Sequence, residues 1–153
     1  MAGLAFCTLI SFSQVQDKRV NFILFIDNEL PLTGITDGVI LLRDDQGAIK
    51  DSLTFDYHVG GLALSSTNYE KLFASNPHYR ILVKFKYEII WPKYQVFNYQ
   101  SEIPSRWLNE EFIIFKFYNS SNKESRAKYL FSNGNRYIVQ VIIPSKRTVL
   151  DER

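Results

Sequence analysis

The chain has 153 residues, 46% of them hydrophobic, which suits one buried core and is short for two ordinary domains. Its 18 basic and 16 acidic side chains are scattered for a formal charge of +2, so no strong field marks it for nucleic acid. Phe (12) and Tyr (9) dominate the aromatic content and, with Val, Ile and Thr, favour pleated, half-buried surfaces, which points to an all-β protein.

Met1–Ser13 reads MAGLAFCTLISFS. Its apolar Leu4–Phe12 stretch has the length of a signal-peptide core and is too short to span a bilayer, and Ser11-Phe12-Ser13 supplies a small-x-small cleavage pattern. Residues 1–13 are therefore read as a signal peptide and 14–153 as one β-sandwich domain, exported to the periplasm or cell surface of a bacterium. No Lys or Arg precedes Leu4, which leaves a first strand of a cytosolic protein as the alternative. Cys7, the one cysteine, falls inside the segment that would be removed, so the mature chain would hold no disulfide, zinc thiolate or cysteine nucleophile. Phe6 stands where a lipid-anchor signal at Cys7 would want a small residue.

Lys18–Asp27 places Val20, Phe22, Leu24 and Ile26 on one face and predicts the first core strand. Asn28–Gly34 contains Pro31 and Gly34 and predicts a turn, and Asp37–Arg43 is apolar on both faces. Asp44–Gly47 closes a turn before Ser52–His58, in which Leu53, Phe55 and Tyr57 point inward and Thr54, Asp56 and His58 outward. Gly60-Gly61 marks a bend. Thr67 and Glu70 fit the capping box of a short helix that turns Leu72 and Phe73 onto the core and ends at Pro77.

Ile81–Ile90 follows as a long strand, with Lys84, Lys86 and Glu88 on its polar face. Trp91-Pro92 breaks it, and Pro92, lacking an amide proton, sends the next strand, Tyr94–Tyr99, to a sheet margin. Pro104–Glu111 predicts a single helical turn and Phe112–Tyr118, apolar on both faces, a central strand. Asn119–Ser125 reads as a solvated loop, Lys128–Phe131 as a short strand, Asn133-Gly134 as a hairpin turn before Tyr137–Ile143, and Pro144–Arg153 as a loose tail. The sum is a two-layer antiparallel β-sandwich, Ig-like or transthyretin-like, of seven to nine strands with one short helix.

The run from Phe25 to Ile35, FIDNELPLTGI, followed by the strand Val39–Arg43, resembles the opening hairpin of carboxypeptidase-regulatory-like and transthyretin-like domains. The resemblance covers about thirty residues and implies a small exported sandwich that serves as an accessory module without catalytic residues of its own. The helix at Thr67–Ser75 and the long half after Pro92 depart from that pattern.

Three functional readings follow from the residues. The first is a non-enzymatic exported module that binds a protein partner of the cell envelope. Its candidate contact residues are Trp91, Tyr94, Phe97, Tyr99 and Trp107, because aromatic rings interleaved with amides and charges are the stuff of interface anchors. The alternative is a carbohydrate-binding module on the same aromatics. The third is a small hydrolase built on Asp56 and His58, neighbours on one strand face, with Ser65 or Ser66 as nucleophile, although no Gly-x-Ser-x-Gly elbow surrounds a serine. No cofactor is expected, and the two distant histidines and the carboxylates at Asp27–Glu29 and Asp44-Asp45 lack metal-ligand spacing.

Overall fold

The computed structural model describes residues 17–129, 136–145 and 149–152. The predicted signal peptide with Cys7 and the predicted Asn133-Gly134 turn lie outside the described residues, as do the last residues of the predicted strand Lys128–Phe131. In chain order the elements are β1 (Lys18–Val20), β2 (Phe22–Ile26), β3 (Ile35–Arg43), β4 (Ile49–Thr54), β5 (Asp56–His58) and β6 (Gly61–Leu64), then helix α1 (Ser66–Phe73). β7 (Arg80–Ile89), β8 (Gln95–Pro104), a 3-10 turn (Ser105–Asn109), β9 (Ile113–Asn119), α2 (Lys123–Lys128), β10 (Tyr137–Ile142) and β11 (Val149–Glu152) follow.

The protein is an all-β sandwich. One layer is the antiparallel sheet β4-β3-β7-β8 and the other is β11-β10-β9-β2, in which β2 runs parallel to β9. That parallel pair departs from the purely antiparallel expectation, since β2 and β9 are separated by the whole first layer and meet only by crossing over. A short sheet, β1-β6-β5, joins the layers along one side. The join explains why the described strands number eleven. The predicted strand Lys18–Asp27 is cut at Asn21 into β1 and β2, and Ser52–His58 is cut at Phe55 into β4 and β5, so each runs from a main sheet into the corner. The alternation survives both cuts: Val20, Phe22, Leu24 and Ile26 are buried, as are Leu53 and Phe55.

Gly38 makes one corner possible. It sits in the bulge of β3 between Thr36 and Val39, its carbonyl accepts from Phe55 N–H at 3.1 Å, and a Cβ there would collide with the Phe55 ring. The core between the layers is aromatic at its centre: Phe117 of β9 meets Phe85 of β7 at 5.2 Å and Tyr99 of β8 at 4.8 Å between ring centroids. Helix α1 closes the bottom by burying Leu72, while Phe73 is turned outward, against expectation. Its cap is Ser65, whose side chain accepts from Asn68 N–H, two residues ahead of the predicted Thr67–Glu70 box.

Two segments predicted as loose are ordered by contacts distant in sequence. Asn119 and Ser125, read as solvated loop, are buried, and α2 begins at Asn122, whose side chain accepts from the N–H groups of Glu124 and Ser125. The tail supplies β11, which pairs with β10 from Val141↔Val149 to Ile138↔Glu152.

The upper end is tied by a buried polar network. Asp27 and Asn28 hold positive φ angles of 50° and 68° in a tight turn that bridges Ile26 to Glu29. The Asp27 carboxylate accepts from Asn119 N–H at 2.9 Å, Asn119 Nδ2 at 2.7 Å and Ser125 Oγ at 2.8 Å. Asn119 Oδ1 in turn accepts from the Tyr99 hydroxyl at 2.5 Å. Burial pushes the Tyr99 hydroxyl far above the ordinary phenol range, so it stays a neutral donor at every working pH. Tyr99→Phe should therefore strand a buried amide oxygen and cost about 1–3 kcal/mol in urea unfolding, whereas Tyr94→Phe, at an exposed ring, should leave the midpoint unchanged.

Candidate functional site

The strand directions gather one set of loops at the upper end. β2 and β9 finish there, β10 begins there, and the turns β2–β3 and β7–β8 lie there together. β7 and β8 form one long hairpin, paired from Arg80↔Pro104 to Ile89↔Gln95, and residues 90–94 are its tip. The β2–β3 loop is anchored to its neighbours at two points. Gly34, at φ 87°, packs against the carbonyl of Glu88 so tightly that a Cβ would stand 2.5 Å away, and its own carbonyl accepts from Glu88 N–H at 2.8 Å. The Tyr57 hydroxyl donates to the Pro31 carbonyl at 2.7 Å.

These loops carry apolar side chains into solvent. Trp91 is 84% exposed, Ile90 81%, Leu32 75% and Tyr94 60%, with Val96 beside them. Five of the eight exposed large hydrophobics among the described residues thus lie at this end; Ile49 and Phe73 are at the other. Scattered singly, such residues need no explanation, but their concentration on neighbouring loop tips does. Covering each would gain about 1.5–3 kcal/mol, so a partner that seats on three or four of them has the driving force for stable docking. Charge is sparse within the cluster. Lys93 is exposed at the tip, and the Tyr94 hydroxyl lies 3.4 Å from Glu88 Oε2.

The candidate aromatics read from the sequence separate into three groups. Trp91 and Tyr94 belong to the exposed tip. Phe97 is half-buried and stacks on Tyr99 at 6.1 Å with rings 7° from parallel, on the inward face of β8; Tyr99 is 2% exposed and a core residue. Trp107 sits in the 3-10 turn, packed against the core beyond the far end of β8, a ten-residue strand about 30 Å long. β8 is indeed the margin of its sheet, as Pro92 implied. Sequence reading missed Ile90 and Leu32. Ile90 follows Ile89 where alternation should have stopped, and Leu32 sits between Pro31 and Gly34, in a loop too short to fold it back.

The Asp56–His58 pair lies on the outer face of the corner sheet. His58 pairs with Gly61, while Ser65 lies four residues further, about 13 Å along the strand, and caps α1. The structure does not bring Ser65 to His58. Beside His58, a shallow depression is lined by Asp17, Arg19, Val59 and Ala63, and the Arg19 guanidinium is held by the Val59 carbonyl at 2.5 Å. No group of three or more His, Cys, Asp or Glu side chains suited to a metal ion occurs among the described residues. No helix among the described residues is long and apolar enough to cross a membrane.

Comparison with protein-family models, curated proteins and solved structures finds no match for this chain. If the tip side chains contribute nothing to the fold, Trp91→Ala and Ile90→Ser should each shift unfolding by no more than about 0.5 kcal/mol in urea titration, and Tyr99→Ala should unfold the protein or cost several times as much.

Proposed function

We propose that the protein is a non-enzymatic, exported β-sandwich that binds a protein partner of the bacterial cell envelope through its upper loops. The observation that supports this is the concentration of Leu32, Ile90, Trp91 and Tyr94 on adjacent loop tips held by a rigid scaffold. Loops clustered at one end of a sandwich are a recurrent binding arrangement, because the sheets fix the loop bases while the tips are free to vary. An exposed Trp with Ile and Tyr around it matches the composition of interface anchors.

Export rests on the apolar Leu4–Phe12 run and the Ser11-Phe12-Ser13 pattern. N-terminal sequencing of the protein from its native cell should find Gln14 or a near neighbour first; an intact Met1 on cytoplasmic protein would overturn it. The carbohydrate alternative loses its best parallel ring pair, Phe97 and Tyr99, to the interior, leaving Trp91 and Tyr94 as the exposed rings among its candidates.

The deciding experiment is affinity capture from an envelope fraction with the wild-type domain and with Trp91→Ala. Truncation of a central anchor should weaken the captured complex by about 1–2 kcal/mol, roughly 5- to 30-fold, without moving the thermal midpoint. Capture that is indifferent to Trp91→Ala and to Ile90→Ser would remove the loop end as the binding surface.

A further inference from the structure

A groove of 540 Å³ crosses the outer face of the β4-β3-β7-β8 layer, between the bulge of β3 and the edge of β8. It is separate from the apolar loop tips. The bulge places Asp37, at φ 50°, over β7, where its carboxylate meets Lys86 Nζ at 2.6 Å and holds that ammonium above its usual pKa. On the opposite rim the Tyr137 hydroxyl accepts from Gln100 N–H at 2.9 Å, closing the backbone edge of β8. Between the rims, the cross-strand row Val39–Lys84–Gln100 forms the centre of the groove, with Asn98 next to it.

The basic side chains on this face are ion-paired except for one, and the Glu88 carboxylate near its upper end accepts from Thr36 Oγ1 at 3.1 Å. Lys86 pairs with Asp37, and Arg43 and Arg80 share Glu102. Lys84 is exposed and has no ion-pair partner among the described residues. The neighbouring side chains of Asn98 and Gln100 each offer both donors and an acceptor. A ligand complementary to this arrangement carries one anionic group for Lys84 and several hydroxyls for the amides. The size lies in the range of small-ligand sites.

We propose that the groove binds an acidic saccharide of the uronic-acid type, its carboxylate on Lys84 and its hydroxyls on Asn98 and Gln100. A single free ammonium beside the Asp37 carboxylate suits one carboxylate per sugar unit and opposes the denser charge of a polyphosphate. The backbone groups of β3 and β7 are paired within the β4-β3-β7-β8 ladders, and at the β8 edge the Tyr137 hydroxyl meets both the N–H and the carbonyl of Gln100, so recognition on the face of the groove falls to side chains, which favours hydroxyls over an extended peptide seeking main-chain partners.

The test is calorimetric titration of the intact domain at low salt with tetragalacturonate, with neutral maltotetraose as the uncharged probe. Saturable binding of tetragalacturonate alone is expected, weakened about tenfold or more by Lys84→Met, the loss of one charge-assisted contact. Lys93→Met and Trp91→Ala should leave the affinity within about twofold, since both residues lie at the loop tip; this separates the groove from the partner surface, whose failure would show only in capture. Thermal unfolding of Lys84→Met should match the wild type. Equal affinity of Lys84→Met and wild type, equal binding of maltotetraose, or no saturable heat with tetragalacturonate would each overturn the assignment.

Discussion

The carboxylate of Asp27 and the hydroxyl of Tyr99 meet on one side chain, Asn119, and this meeting ties the two layers at the end that carries the loops. Asp27 ends β2, Asn119 ends β9, Tyr99 belongs to β8 in the opposite sheet, and Ser125 brings α2 to the same carboxylate. The strained turn at Asp27 and Asn28 is held by these bonds: two consecutive non-glycine residues with positive φ persist because three donors converge on the Asp27 side chain. Tyr118 extends the network, its hydroxyl lying 3.1 Å from side-chain oxygens of both Asn28 and Gln140. A buried polar network of this kind fixes one arrangement, since any shift would leave several desolvated groups unpaired.

The second constraint is the corner. With β5-β6-β1 between them, the two main sheets form an almost continuous ribbon of hydrogen-bonded strands from β8 round to β11, interrupted in pairing only where β4 passes into β5 and β1 into β2. A folded ribbon leaves two edges instead of four, and the β8 edge is partly blunted by the Tyr137 hydroxyl at Gln100 and by Pro104, which has no N–H to offer. The cost of bending falls on small residues: Gly38 receives the Phe55 ring, and Gly61 lies under the Arg19 side chain.

The two surfaces proposed for binding rest on different parts of this scaffold. The β2–β3 loop is pinned to Glu88 at Gly34 and to Tyr57 at Pro31, so Leu32 projects from a fixed base, and the long β7–β8 ladder does the same for Trp91. A preorganised apolar surface loses little conformational entropy on docking, which is how a small patch supports useful affinity. The groove on the outer sheet face draws on different physics, one unmatched ammonium among matched ones, and shares none of these side chains.

Alternation alone was enough to set the class of this protein and the inward face of nearly every strand: Val20, Phe22, Leu24, Ile26, Leu53, Phe55, Ile81, Val83 and Phe85 are buried where period two places them. Pro92 was likewise enough to make β8 a margin and to end β7 at a tip. Long-range geometry decided the rest. Nothing local tells that Asn21 and Phe55 are corners, because a strand that changes sheets keeps its alternation, nor that Asn119 and Ser125 are buried, because their partner Asp27 is more than ninety residues away. The aromatics show the same limit most clearly. Tyr94 and Tyr99 are the same residue type on the same stretch of chain, yet one faces water and the other fills the sandwich; period two assigns them to opposite faces, and only the layer lying across Tyr99 determines which face is the core.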